Sequence, residues 1–166
     1  IGLDVSGSMA SPVAGTAMSF AEGATALSLV TAHTEQDYLI VAFADQLRQV
    51  PFSKKTRLDD ALRTTQKLNF GGTDCSLPIL AALQNNLQFD VFAILTDSET
   101  WAGNIHPVQV LRKYRDKTGI PAKLIVVGMV SNEFSIADPD DGGMMDVVGF
   151  DTSVPQLMAD FATEKL

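Results

Sequence analysis

A short, unbroken apolar run near the middle of the chain constrains the fold most. Residues 91–95 contain no polar side chain, and residues 123–130 supply a second apolar run after a lysine. Such continuity is typical of central strands in a parallel sheet, whose two faces are both covered by helices. Segments with helical spacing separate these runs from the other strand-like segments. This alternation predicts an α/β fold with a doubly wound, mostly parallel sheet flanked by about six helices.

The remaining elements follow from periodicity and from turn residues. A first helix is expected at 13–33, because Ser11 and Pro12 are typical of a helix start. Another is expected between His106, Pro107 and Gly119, which have the chemistry of helix ends. Further strands are predicted at 1–4, 38–43, 46–52 and 90–96, with a short edge strand around Phe134 or Val147, and further helices at 56–68, 77–87 and 154–161.

Bulk properties limit the class of protein. With 166 residues the chain fits one domain, 1–166, and its first residue, Ile1, indicates a fragment of a longer protein. The net charge of -8 and the scattered Lys and Arg residues argue against a broad surface for polyanions. No apolar run is long enough to cross a membrane, so membrane insertion is not expected. The single cysteine, Cys75, is compatible with a reducing compartment, which favours an intracellular, cytoplasmic location.

Polar side chains that suit a hard cation follow the first strand. Asp4, Ser6 and Ser8 lie on the turn that leaves it, Thr73 follows two glycines, and Asp97 follows the strand at 90–96. Carboxylate and hydroxyl oxygens are suitable ligands for Mg²⁺. In open parallel sheets, ligands bind beyond the carboxyl ends of the strands, where the strand order reverses. These residues therefore predict a metal site assembled from three loops.

The same five residues resemble the metal-ion-dependent adhesion site of von Willebrand factor A (vWA) domains, in the usual order. Longer runs at 71–78, 121–126 and 136–141 are similar to the vWA domain of the Ro autoantigen (TROVE) ribonucleoproteins. The resemblance implies a vWA (Rossmann-like) fold and binding of a ligand through Mg²⁺, or through Mn²⁺ or Ca²⁺. It implies that Ser6, Ser8 and Thr73 contact the metal through hydroxyls, while Asp4 and Asp97 bind it directly or through water.

The resemblance also implies a setting and partners. The fragment is expected to come from the C-terminal part of an RNA-binding protein involved in RNA quality control. Small noncoding RNA is then bound by the full-length protein rather than by this domain. An acidic group of a partner protein is expected to complete the metal coordination. Glu99 and Trp101, after Asp97, are candidates for the rim of that ligand site, although a solvated glutamate and a packed indole explain them equally well.

Two alternatives stay open beside metal-dependent binding. A Mg²⁺-dependent phosphohydrolase of the haloacid dehalogenase type also has an aspartate after the first strand, but it needs a second carboxylate where Ser6 stands. The metal site could also be vestigial, with its loops serving only as helix caps. A serine nucleophile would need His33 or His106 as its base, and the Gly-x-Ser-x-Gly motif is absent. None of the five residues is an obvious general base, so no catalytic residue is predicted and the domain is not expected to be an enzyme.

Overall fold

The central feature is a six-stranded sheet. The computed structural model describes residues 1–68, 71–97, 102–128, 136–149 and 151–164. The strands are β1 Gly2–Asp4, β2 Val41–Phe43, β3 Leu47–Gln49, β4 Val91–Thr96, β5 Lys123–Gly128 and β6 Met144–Val148. Their order is β3-β2-β1-β4-β5-β6, and only β3 runs antiparallel to its neighbour. The predicted doubly wound, mostly parallel sheet is confirmed.

Helices cover both faces of this sheet. Within the described ranges they are α1 Phe20–Thr34, α2 Leu58–Gln66, α3 Leu77–Gln84, α4 Pro107–Thr118 and α5 Val154–Ala162, with one 3-10 turn, Gly7–Ala10. The apolar side chains of β4 contribute to two hydrophobic cores, one on each face of the sheet. Ala93 and Leu95 pack with α1, α2 and α5, whereas Phe92 and Ile94 pack with α3 and α4. A strand buried on both faces needs no polar positions, as the sequence predicted.

The predicted limits of α4 are confirmed. His106 caps its first turn by accepting a hydrogen bond from the Val108 N–H, and Pro107 occupies the first helical position. Gly119 ends the helix with φ at 72°, in the left-handed region that glycine adopts without steric cost. Local chemistry alone decides both ends of this helix.

The predicted start of α1 is wrong. The helix begins at Phe20, because Ser19 and Glu22 form a reciprocal capping box: the Glu22 N–H donates to the Ser19 hydroxyl at 3.2 Å, and the Ser19 N–H donates to the Glu22 carboxylate at 2.6 Å. Pro12 instead pairs with Ser19 in an antiparallel bridge. The capping box satisfies two backbone N–H groups, those of Ser19 and Glu22. A start at Phe20 is therefore favoured over a start after Pro12, which offers only its own preference for the first helical position.

The other boundaries differ by a few residues. Strands β2 and β3 are shorter than predicted, and the edge strand lies at Met144–Val148, which confirms the Val147 alternative. The Phe134 alternative falls outside the described residues. In the part of the chain described, no helix is long and apolar enough to cross a membrane.

The strand order places a topological switch beside β1. The chain leaves β1 for β2 and β3 on one side, then crosses to β4, β5 and β6 on the other. The crevice between the carboxyl ends of β1 and β4 is where such sheets bind ligands. Asp4 ends β1 and Asp97 directly follows β4, so both lie at this crevice.

Candidate functional site

Asp4 is held in place from both sides of the switch. Its side chain is almost fully buried, at 1% exposure. One carboxylate oxygen, Oδ1, accepts the Ser6 backbone N–H at 2.8 Å, and the other, Oδ2, accepts the Thr96 hydroxyl at 2.7 Å. A carboxylate oxygen has two lone pairs, so each oxygen retains acceptor capacity for water or a cation. The carboxylate is thus oriented before any ligand arrives.

Burial also perturbs the charge of Asp4. Loss of solvent raises the pKa of Asp4 to about 6, hydrogen bonds from Ser6 and Thr96 oppose that rise, and the Asp97 carboxylate adds to it. Among the described residues, no salt bridge pairs Asp4 with a lysine or arginine. A buried anion in such surroundings is costly, and a bound cation would offset that cost.

The two serines of the turn have a spacing that fits an octahedral ion. The Ser6 and Ser8 hydroxyl oxygens lie 3.2 Å apart, with Ser6 buried and Ser8 exposed. Adjacent ligands of an octahedral Mg²⁺ are separated by about 3 Å, since each lies about 2.1 Å from the ion. The 3-10 turn Gly7–Ala10 brings Ser8 back toward Ser6. The donor set of this turn therefore fits Mg²⁺ in both chemistry and spacing.

Thr73 lies on a loop that is fastened to two other segments. Its side chain is buried, and its carbonyl accepts the Ala102 N–H at 2.9 Å. The next residue, Asp74, donates its backbone N–H to the Ala44 carbonyl, just after β2, at 2.8 Å. The Thr73 loop therefore contacts both the end of β2 and the segment that follows β4.

The five predicted ligands differ in how directly the structure links them. Hydrogen bonds join the turn residues Asp4, Ser6 and Ser8. Half-buried Asp97 lies near enough to repel the Asp4 carboxylate, which adds to the rise in the pKa of Asp4. Thr73 is joined to the segment after β4 through its backbone. The proposed rim residues lie outside the described part of the chain; these are Glu99 and Trp101. Metal binding by the five residues stays a prediction.

Thr96 is a site residue that sequence reasoning missed. It is fully buried, and its hydroxyl reaches Asp4 across 92 positions of sequence. The available signal was a hydroxyl residue at the end of an otherwise apolar strand. That signal becomes interpretable only when β1 and β4 are known to be neighbours.

Replacing Thr96 with valine should weaken cation binding about tenfold, a typical effect of removing a partner of a metal-ligating carboxylate. The variant keeps the branched shape but removes the hydroxyl that donates to Asp4. Isothermal titration with Mg²⁺ measures the change. Thr25→Val is the matched control, because the buried Thr25 hydroxyl has no hydrogen-bond partner within the described structure. Equal Mg²⁺ affinities for the two variants would contradict the role given to Thr96.

Within the described ranges, neither histidine has the contacts expected of a catalytic base. The His33 ring nitrogen Nδ1 lies 2.8 Å from the Leu29 carbonyl of its own helix. His106 caps α4 through the Val108 N–H, as described above. Both rings take part in local helix contacts, which gives no support to a serine nucleophile.

A separate cavity of about 600 Å³ lies near the amino ends of β5 and β6. The candidate site, by contrast, lies at the carboxyl ends of the strands. The two cations that line the cavity already have partners: Arg115 contacts Asp141 at 2.5 Å, and the Lys123 ammonium donates to the Phe161 carbonyl at 2.7 Å. The Arg115 guanidinium holds the pKa of the Asp141 carboxyl below its usual range. These pairs fasten turns and a helix end, so the crevice beside β1 remains the candidate site.

Comparison with known proteins gives a consistent family. The model of the Ro60 vWA domain matches residues 1–162. The RNA-binding protein RO60 of Caenorhabditis elegans is 47% identical over 167 residues, covering 100% of this chain and 26% of that protein. The RNA-binding protein RO60 of Deinococcus radiodurans is 46% identical over 164 residues, covering 98% of this chain and 31% of that protein. The chain thus spans a third or less of these relatives.

Solved structures agree with this result. The crystal structure of the Deinococcus radiodurans Ro protein superimposes with a TM-score of 0.89 at 45% identity, covering 99% of this chain and 34% of that one. The BatB protein of Bacteroides thetaiotaomicron has a TM-score of 0.68 at 15% identity, covering 98% of this chain and 95% of that one. The second likeness concerns the fold alone.

Proposed function

We propose that this chain, which belongs to the family of Ro60 vWA domains, binds an acidic ligand through a divalent cation held by its three loops. The residues that would hold the cation are Asp4, Ser6, Ser8, Thr73 and Asp97. Mg²⁺ suits them best, and Mn²⁺ or Ca²⁺ are the alternatives. A bound cation would supply an electrophilic centre for an oxygen ligand.

One observation carries this proposal. A buried carboxylate at the topological switch is oriented by two donors, beside two hydroxyl oxygens 3.2 Å apart. A simple capping turn does not require the aspartate to accept a hydrogen bond from a residue of the neighbouring strand, as Asp4 does from Thr96. Buried charges in proteins are commonly paired or bound to metals, and the spacing of the hydroxyls suits the latter.

The donor set favours binding over catalysis. Three of the five proposed ligands are neutral hydroxyls, so the two aspartates alone would offset the charge of the ion, which would stay electrophilic where they bind it through water. A carboxylate from a partner protein would then complete the coordination favourably. Phosphoryl transfer would instead need a positioned acid or base beside Asp4, and the corresponding position holds Ser6.

The full-length protein is proposed to be a cytoplasmic RNA-binding protein acting in RNA quality control, with this vWA domain in its C-terminal part. Its relatives are named RNA-binding proteins, and this chain covers 26% and 31% of them. The net charge of -8 makes this domain a poor surface for RNA by itself. We therefore propose that the remainder of the polypeptide binds small noncoding RNA. The metal loops would bind an acidic group of a partner protein.

A thermal-shift titration tests cation binding. Mg²⁺ or Mn²⁺ should raise the Tm of the wild-type domain relative to chelator, because a ligand that binds only the folded state stabilises it by mass action. Asp4→Ala should remove the shift. If saturating cation leaves the wild-type Tm unchanged, the site is vestigial and the domain is structural. Turnover of an aryl phosphate that depends on both metal and Asp4 would instead establish a phosphohydrolase.

A pulldown with the full-length protein tests the ligand. Capture of a partner in Mg²⁺ but not in chelator, and by wild type but not by Asp4→Ala, is the expected result. A partner captured equally in all four conditions does not use the cation. Treatment with ribonuclease then separates protein partners from those bridged by RNA.

A further inference from the structure

We propose that Asp74 is a positioning residue of this site, which locks the Thr73 loop against the segment after β4 through a contact that only glycine at position 103 permits. The proposal rests on the proposed cation site. It concerns a residue next to a predicted ligand rather than a ligand itself.

The Asp74 carboxylate is fixed from within its own loop. It is buried, at 7% exposure, just before α3. Its Oδ1 accepts both the backbone N–H of Ser76 at 2.9 Å and the Ser76 hydroxyl at 2.5 Å. Oδ1 therefore has two donors from one neighbour, which sets the side-chain rotamer and directs Oδ2 to the next segment.

Gly103 is the surface on which that carboxylate packs. A side-chain carbon at Gly103 would collide with Oδ2 and would lie 2.5 Å from Cγ and 2.7 Å from Oδ1 of Asp74. Gly103 also has φ at 91°, a conformation that other residues seldom adopt. Both the backbone angle and the close approach therefore require glycine here.

The contact lies beside a backbone hydrogen bond between the same two segments. The N–H of Ala102 donates to the carbonyl of Thr73 at 2.9 Å. Adjacent residues of one segment, 102 and 103, thus meet adjacent residues of the other, 73 and 74. Two consecutive contacts fix both the separation and the register of the Thr73 loop and the segment at residues 102 and 103, which follows β4.

This register matters because a cation responds to small displacements of its ligands. Groups that orient metal ligands typically change metal affinity by about 10- to 100-fold when removed. A simple helix cap, by contrast, contributes to stability without affecting a ligand outside the helix. Cation affinity and metal-free stability therefore separate the two roles.

The experiment measures the Mn²⁺ Kd by electron paramagnetic resonance, and the Tm in chelator, on the chain described here. Asp74→Ala and Gly103→Ala should each raise the Kd about tenfold or more. Asp74→Asn keeps the shape and the acceptor for Ser76, so its Kd should stay within about threefold of wild type. That rescue by the amide distinguishes positioning from simple attraction of the cation by charge.

Gly119→Ala is the matched control for backbone strain. Gly119 also has positive φ, at 72°, but apart from its own chain neighbours no described residue has an atom within 4 Å of an added carbon. Its variant should lower the Tm in chelator and leave the Mn²⁺ Kd unchanged. If Asp74→Ala fails to fold, Ser76→Ala removes one of the two donors and should raise the Kd by a smaller factor.

Two outcomes would overturn the inference in different ways. Lower Tm values with wild-type Kd for Asp74→Ala and Gly103→Ala would make Asp74 a local cap only, while the cation site would stand. No Mn²⁺ binding by the wild type would refute the proposed function, and the inference would fall with it.

Discussion

Asp4→Asn is expected to abolish the response to Mg²⁺ and, in chelator at pH 7, to make the domain more stable than wild type by about 1–3 kcal/mol. The gain arises because burial raises the pKa of the Asp4 carboxyl to about 6, so the wild type must keep a costly buried anion at neutral pH. The amide removes that charge. It can still accept the Ser6 N–H, and the Thr96 hydroxyl can rotate to accept from the amide nitrogen.

Urea denaturation with and without Mg²⁺ measures both effects. Asp141→Asn is the matched control, because Asp141 is paired with Arg115 and its pKa is lowered. Its variant should be destabilised and should keep the Mg²⁺ response. An Asp4→Asn variant that is both less stable in chelator and still stabilised by Mg²⁺ would refute the assignment.

The same group predicts the pH dependence of stability. In the unfolded chain an aspartate has a pKa of about 3.9. In the folded chain the pKa of Asp4 is higher, at about 6. Between about pH 4 and pH 6 the folded state therefore binds more protons than the unfolded state. The contribution of Asp4 to metal-free stability falls as the pH rises through this range. The contribution levels off about one pH unit above the folded pKa, near pH 7. Because Mg²⁺ competes with that proton, its stabilising increment should grow from pH 5 to pH 7.

Urea curves at pH 5, 6 and 7 test this expectation. The decline in chelator should be smaller in Asp4→Asn than in wild type. A Mg²⁺ increment that does not change across this range would show that the cation and the Asp4 proton do not compete.

Tyr114→Ala is expected to cause the largest loss of stability, about 3–5 kcal/mol. The Tyr114 ring is fully buried on α4 and packs edge-on against Phe92, with ring centroids 5.0 Å apart. Its hydroxyl donates to the Leu87 carbonyl at 2.9 Å and accepts the Phe89 N–H at 2.6 Å. One side chain therefore fills the core and satisfies the backbone that connects α3 to β4.

Tyr114→Phe separates these contributions. It keeps the packed ring and leaves the two backbone groups without the hydroxyl, so a loss of about 1–3 kcal/mol is expected by urea denaturation. Tyr38→Phe is the control, since among the described residues the half-buried Tyr38 hydroxyl makes a single long contact, of 3.4 Å to the Phe52 carbonyl. Equal losses for the two phenylalanine variants would contradict the structural role of the Tyr114 hydroxyl.

The features that depend on residues close together in the sequence are predictable from it. The apolar run of β4, the caps of α4 and the Asp4–Ser8 turn were identified because each follows from local periodicity or local hydrogen bonding. The start of α1 is not predictable in this way, because Pro12 and Ser19 are competing helix-start signals within eight residues. Which of two such helix-start signals prevails depends on the contacts that the rest of the fold makes with each segment.

The sequence by itself determined the α/β class, the family resemblance and the candidate ligands at strand ends. Only the tertiary structure decided that β1 and β4 are neighbours, and hence that Thr96 donates to Asp4 and that Asp74 meets Gly103. The physical reason is that periodicity reports whether a side chain is buried, whereas a hydrogen bond depends on which two elements pack together. That pairing is set by the strand order of the whole sheet, and no single segment encodes it.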